Sequence, residues 1–152
     1  MPAYSLADTW LLNNRVNLRL LEQLSDAQLA WASNPRARSV AGQFAHLHTV
    51  RLMWLEVVAP AAAALAKIEK GAASAPALRA ALEASALALG TAIAEAEQTG
   101  RMRGYKRGVA AFVGYLLAHE AHHRGQIVLH LKYAKMALAP KAGYELWEWE
   151  KI

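Results

Sequence analysis

An all-α protein, a four-helix bundle of the up-and-down type closed by a packed C-terminal tail, is what this sequence predicts. Three observations carry the reading. Hydrophobic residues make up 55% of the chain, with Ala and Leu dominant and only 9 Gly and 5 Pro among 152 residues, a mixture that favours helix over strand. Helix-boundary residues divide the chain into four long segments without a convincing strand among them. No internal repeat, low-complexity tail or linker interrupts the chain, so residues 1–152 read as one domain, large enough to bury a real core.

The first helix is expected from about Ser5 to Leu24, with Leu6, Trp10, Leu20, Leu21 and Leu24 facing the core. Asn13, Asn14 and Asn17 are unusual inside a helix; solvent exposure accounts for most such residues, and Asn13 or Asn14 could instead line a polar cavity. After a turn at Ser33-Asn34-Pro35, Ser39 is a natural N-cap for a second helix from Val40 to Val58, stopped by Pro60. An alanine-rich stretch follows to Lys70 and Gly71. A third helix starts near Pro76, a good first-turn residue, and ends near Gln98 before Gly100. The fourth runs from Gly108 to about Leu138 and stops at Pro140. Tyr144, Trp147 and Trp149 in the last twelve residues are expected to pack on the bundle, because exposed they would form an apolar patch. Connections of short or moderate length make antiparallel neighbours the default.

Composition also limits function. The chain has no cysteine, so disulfides and thiolate ligands are excluded and a metal would have to sit on His, carboxylate or amide groups. The opening residues lack the layout of a signal peptide, and the run Val57–Ala66 is too short and too weakly apolar to span a bilayer. A cytoplasmic protein with no membrane partner is therefore expected. The net charge of +5 is concentrated in Arg101-Met102-Arg103-Gly104-Tyr105-Lys106-Arg107. That cluster matches no nucleic-acid-binding motif and reads as a solvated connector.

Chemistry concentrates on histidine. His119 and His123 stand four residues apart, which on a helix sets their Cβ atoms about 5–6 Å from each other on one face. The apolar residues around them, Val113 to Ala118 and Ile127 to Leu129, predict burial, and two buried imidazoles at this spacing are most simply explained by a shared metal ion. Gln126 continues the same stripe and could accept a hydrogen bond from a ligand histidine. His122 points to the flank, and His130 lies about 10 Å further along the axis. In the second helix His46 and His48 point about 200° apart, so only one can face a given site. Periodicity does not choose between them.

Read literally, His119-Glu120-Ala121-His122-His123 matches the metallopeptidase pattern H-E-x-x-H, with Glu120 as general base and a third ligand from Glu145, Glu148 or Glu150. The chain as a whole resembles instead the DinB/YfiT-like superfamily of small metal-binding bundles. Trp10-Leu11-Leu12-Asn13-Asn14-Arg15, Ser39-Val40 leading to Ala45-His46-Leu47, and above all His119-x-x-x-His123-Arg124-Gly125-Gln126-Ile127 carry the resemblance. It implies three metal ligands, His46, His119 and His123, and so selects His46 over His48, which is left without a role; Glu120 becomes an incidental neighbour.

The resemblance further implies a divalent metal ion, nickel or zinc, and a metal-dependent enzyme of thiol-dependent transferase or hydrolase type. Its partners would be a low-molecular-weight thiol and a small electrophile, and a homodimer is expected. Arg51 or the 101–107 cluster could hold an anionic group. A non-catalytic, metal-stabilised bundle is the remaining alternative, since fold and site do not fix chemistry.

Overall fold

The computed structural model describes residues 4–69 and 73–152; the expected end of the alanine-rich stretch at Lys70 and Gly71 lies outside them. Among the described residues six α-helices form: α1 (Leu6–Glu22), α2 (Asp26–Ala30), α3 (Val40–Val58), α4 (Ala75–Glu97), α5 (Gly108–Tyr133) and α6 (Pro140–Glu145). Serine starts four of them. The Ser5, Ser25, Ser39 and Ser74 hydroxyls each accept from a backbone N–H in the first turn, and Asp8 and Gln28 complete capping boxes with Ser5 and Ser25, satisfying donors that would otherwise be orphaned.

The expected all-α bundle is built from α1, α3, α4 and α5, and its core falls into two apolar clusters at different heights. One gathers Trp10, Leu52, Leu55, Leu89, Ile93, Phe112 and Leu116. The other gathers Leu20, Leu21, Phe44, Leu47, Leu78, Leu82, Ile127 and Leu131. Residue order within these clusters fixes the helix directions. Along α1 and α5 the chain passes from the first cluster to the second, and along α3 and α4 from the second to the first. The long helices therefore run up, down, down, up, which refines the antiparallel expectation. Parallel α3 and α4 need a connection that returns along their length. Residues 59–69 supply the described part of it as a strap, with Leu65 against the first cluster and Ile68 against the second.

Between the two clusters lies a polar layer, which bears out the polar-cavity alternative for Asn13 and Asn14 over solvent exposure. Asn13, Asn14 and Asn17 are all buried, as are Arg51, Ser85 and Glu120. The Arg51 Nε and Nη2 donate to Glu120 at 2.7 and 3.0 Å, and Asn13 and Asn17 donate to the same carboxylate at 2.6 and 2.7 Å. Arg51 Nη1 reaches Asn14 Oδ1 and the Leu82 carbonyl, and its guanidinium lies over Trp10. Burial would raise the Glu120 pKa, but the Arg51 charge and the hydrogen bonds from Arg51 and Asn17 prevail and hold it below the ordinary carboxylate value. The layer thus ties α1, α3, α4 and α5 together at one height. Asn13 Oδ1 alone among the described buried side-chain oxygens and nitrogens finds no partner, so the packing favours the carboxylate over the asparagine.

Several boundaries differ from expectation. The first helix ends at Glu22 because Gln23 donates its N–H to Leu20 and Leu21 carbonyls, and Ser25 starts a separate short helix. Helix α5 ends at Tyr133, and Lys135 adopts φ 58°, a left-handed conformation that stops the helix before Leu138. The connector between α4 and α5 makes only an isolated bridge, Met102 to Tyr105. Its Gly104 has φ +70°, and a Cβ there would fall 2.2 Å from Val57 Cγ1, so glycine lets the connector close on α3. The tail packs through Ala142 and Leu146. Tyr144 and Trp147, expected against the bundle, are exposed, because the short α6 buries its Ala142 side instead. Among the described residues α4 is the helix long and apolar enough by composition to cross a membrane. Its Leu78, Leu82, Leu89 and Ile93 form the bundle core.

Removing one partner of a buried ion pair strands the other charge and costs about 3–5 kcal/mol. Glu120→Ala is therefore expected to lower unfolding stability by about that amount in denaturant titration, leaving Arg51 uncompensated. A loss below about 1 kcal/mol would contradict the layer's role.

Candidate metal centre

Two elements present the centre. His46 lies two turns into α3, and His119 and His123 lie on the outward-leaning face of α5, at the height of the polar layer. Their ring centroids are separated by 5.5 Å (His46–His119), 4.8 Å (His46–His123) and 4.7 Å (His119–His123). One nitrogen from each lies within 4.8 Å of the others. Nitrogens around a tetrahedral ion at about 2.1 Å stand roughly 3.4 Å apart, so small side-chain rotations close the cluster on a metal. His123 is buried, whereas His46 and His119 are half-exposed, which leaves one side open to solvent.

Electrostatics keep the three rings neutral, the state in which imidazole binds metal. Burial lowers all three pKa values. The Arg38 charge adds to the effect at His46, and at His123 the neighbouring His119 and His46 add most after burial, taking it to about 4. A solitary neutral cluster of this kind has no internal hydrogen-bonding reason to exist, which fits a cation at its centre.

Gln43, one turn before His46 on α3, orients the site. Its Oε1 accepts from His123 Nδ1 at 2.6 Å, leaving Nε2 with its lone pair free. Gln43 Nε2 donates in turn to Gln126 Oε1, and Gln126 Nε2 donates to His122 Nε2. Gln126 was expected beside a ligand histidine and stands one residue further out. Gln43 was missed, although its place three residues before His46 could have raised it. On the other side Tyr115 stacks on His119 at 6.3 Å, and Trp54 meets Tyr105, Phe112 and Tyr115 edge-on. An aromatic wall thus joins the connector to the site, with Arg101, Arg103, Lys106 and Arg107 exposed as expected of a solvated connector.

The remaining candidates fall elsewhere. His48 is buried on the opposite side of α3; its Nε2 donates to the Ala66 carbonyl and its Nδ1 lies 3.1 Å from Ser85 Oγ. It holds the strap. His130 stands apart against Trp31. Glu120 is no incidental neighbour: buried and bonded through both oxygens to Arg51, Asn13 and Asn17, it is committed to the interior of the bundle, and the H-E-x-x-H base role has no geometric basis. Glu145, Glu148 and Glu150 do not join the histidine group. Arg51, once considered for an anionic substrate, is spent on Glu120. The helix around the histidines is also less buried than its sequence suggested, since Tyr115 and Leu129 are exposed.

The family model described as DinB family matches residues 1–142. No curated protein and no solved structure shows significant similarity to the chain.

Two outcomes follow from this geometry. Gln43→Leu should weaken divalent-metal affinity by about 10–100-fold, read by competition with a chromophoric chelator, because His123 loses the acceptor that fixes its tautomer. For the metal-free protein, His123 has an ordinary value of 6.5 and a folded value of about 4, so the unfolded state binds its proton first. Its contribution to stability is full above pH 6.5 and is lost as pH falls through about 4. A plot of melting temperature against pH should therefore fall more steeply over that window for the wild type than for His123→Asn.

Proposed function

The chain belongs to the DinB family, and we propose that it is a metal-dependent enzyme that joins a low-molecular-weight thiol to a small electrophile, using His46, His119 and His123 to hold one nickel or zinc ion. The observation that carries this reading is the convergence of three neutral imidazoles, within 4.8 Å of one another and open to solvent on one side. Three protein ligands with an open side suit catalysis, whereas structural sites are closed by four.

A bound divalent ion would supply Lewis acidity, lowering the pKa of a thiol so that thiolate is present at neutral pH. The residues of the chain set the conditions for this. Gln43 fixes the His123 ring, burial keeps the three imidazoles free of protons, and the Arg51–Glu120 pair holds α3 against α5. Tyr115 and Trp54 offer an apolar wall beside His119 for the electrophile. Such a reaction draws on the thiol pool of a reducing cytoplasm, where a cysteine-free chain meets no competing disulfide exchange.

Metal content by elemental analysis, on untagged wild type and His46→Ala side by side, tests the ligand set. Near one divalent ion per chain is expected in the wild type, with most of it absent from the variant; equal content in both would overturn the site. Nickel- or zinc-loaded protein is then expected to conjugate a thiol to an electrophile well above the metal-free background. A loaded protein that is silent across such a screen, yet loses its melting temperature on chelation, would establish the metal-stabilised bundle instead.

A further inference from the structure

The His46 side of the cluster opens onto a cleft of about 1140 Å³, slightly above the usual range for small-molecule sites. Arg36, Arg38, Ser39, Gly42 and Thr49 line it together with His46. Arg38 directly precedes the Ser39 cap of α3, and its stem lies over Gly42. A Cβ on Gly42 would sit 3.5 Å from Arg38 Cβ and 4.0 Å from its Cγ. Gly42 and His46 are four residues apart, hence on one face and about 6 Å apart along the axis. The absence of a side chain at Gly42 therefore lets the Arg38 stem pack on α3 one turn before His46, and both residues border the same cleft.

Nothing else uses that guanidinium. Among the described residues neither Arg36 nor Arg38 enters an ion pair or donates a side-chain hydrogen bond, although Asp26 and Glu69 line the same cleft. The pairs that do form are Arg19–Glu22, Arg51–Glu120, Arg79–Glu22, Arg79–Glu83 and Lys151–Glu148. The Arg38 charge is close enough to be felt at both His46 and His123, where it adds to the larger effect of burial. An uncommitted, solvent-exposed cation at the edge of a cleft that reaches the metal cluster is suited to one end of a bifunctional ligand whose other end reaches the metal.

We propose that Arg38 determines substrate choice at this centre by holding a carboxylate of the thiol substrate in the cleft while the sulfur faces the three histidines. The proposal rests on the thiol reading of the site and narrows it to carboxylate-bearing thiols. Gly42 seats the Arg38 stem against α3, one turn before His46, so that carboxylate and sulfur are bound at once.

The test uses cobalt(II)-loaded full-length protein, in which a thiolate on the metal gives a charge-transfer absorption in the near ultraviolet. Titration with 3-mercaptopropionate and with 2-mercaptoethanol compares thiols that differ in the carboxylate. The wild type is expected to bind 3-mercaptopropionate at least about tenfold more tightly. Arg38→Gln should bring the ratio close to one, chiefly by weakening 3-mercaptopropionate, while cobalt uptake stays unchanged. Arg38→Lys should retain part of the preference, because the charge survives without the fork. Equal binding of both thiols by the wild type, or a preference that survives Arg38→Gln, overturns the assignment of Arg38 alone. Cobalt uptake with no thiol band overturns it together with the thiol reading, and failure to take up cobalt removes the metal centre itself.

Discussion

Arg51 and Glu120 meet in the middle of the bundle, where water cannot solvate either charge, and each is committed to the other and to a ring of amides. The carboxylate accepts from Arg51, Asn13 and Asn17, and the guanidinium reaches Asn14 and the Leu82 carbonyl as well. Hydrophobic clusters above and below tolerate small slips of one helix past another; a buried ion pair does not, because any slip leaves a charge without partners. Arg51 follows His46 by five residues on α3, and Glu120 follows His119 by one on α5. The pair that fixes α3 against α5 thereby fixes the distance between the histidines.

The same arrangement accounts for the division of labour among polar residues at this height. Inward-facing groups, Glu120, Arg51 and the asparagines, are bonded chiefly to one another, with Asn13 Oδ1 left without a partner. Outward-facing groups, His46, His119 and His123, are desolvated enough to stay neutral yet have one open side. His48 belongs to the first set, since its two nitrogens reach the strap and Ser85. Two histidines separated by two residues on α3 thus have opposite fates, decided by which way each faces.

Much of this could be read from the sequence. The Ser39 cap and the prolines and glycines at helix boundaries placed the long helices to within about five residues, and the four-residue spacing of His119 and His123 placed them on one face. The choice of His46 over His48 came from family resemblance, because periodicity is the same for either face of a helix that is apolar nearly all round. The polar layer was harder. Asn13, Asn14 and Asn17 look like surface residues until their partners, Glu120 for Asn13 and Asn17 and Arg51 for Asn14, are known, and Glu120 and Arg51 are separated by 69 positions. A buried charge pair contradicts the composition rule that normally assigns charges to solvent, so only three-dimensional contact reveals it. The parallel course of α3 and α4 was hidden for a related reason. The strap that permits it has little helical structure, and an alanine-rich stretch does not state its direction. The exposed Tyr144 and Trp147 show the reverse error, where size and apolarity suggested burial that α6 does not provide.

X-ray absorption fine structure on the zinc-loaded protein tests the central claim most directly, since it reads the atoms bound to the metal. The account predicts a first shell of nitrogen and oxygen at about 2.0–2.1 Å with outer-shell scattering that requires three imidazole rings. A shell fitted by one imidazole or none, dominated by carboxylate oxygen, would contradict it.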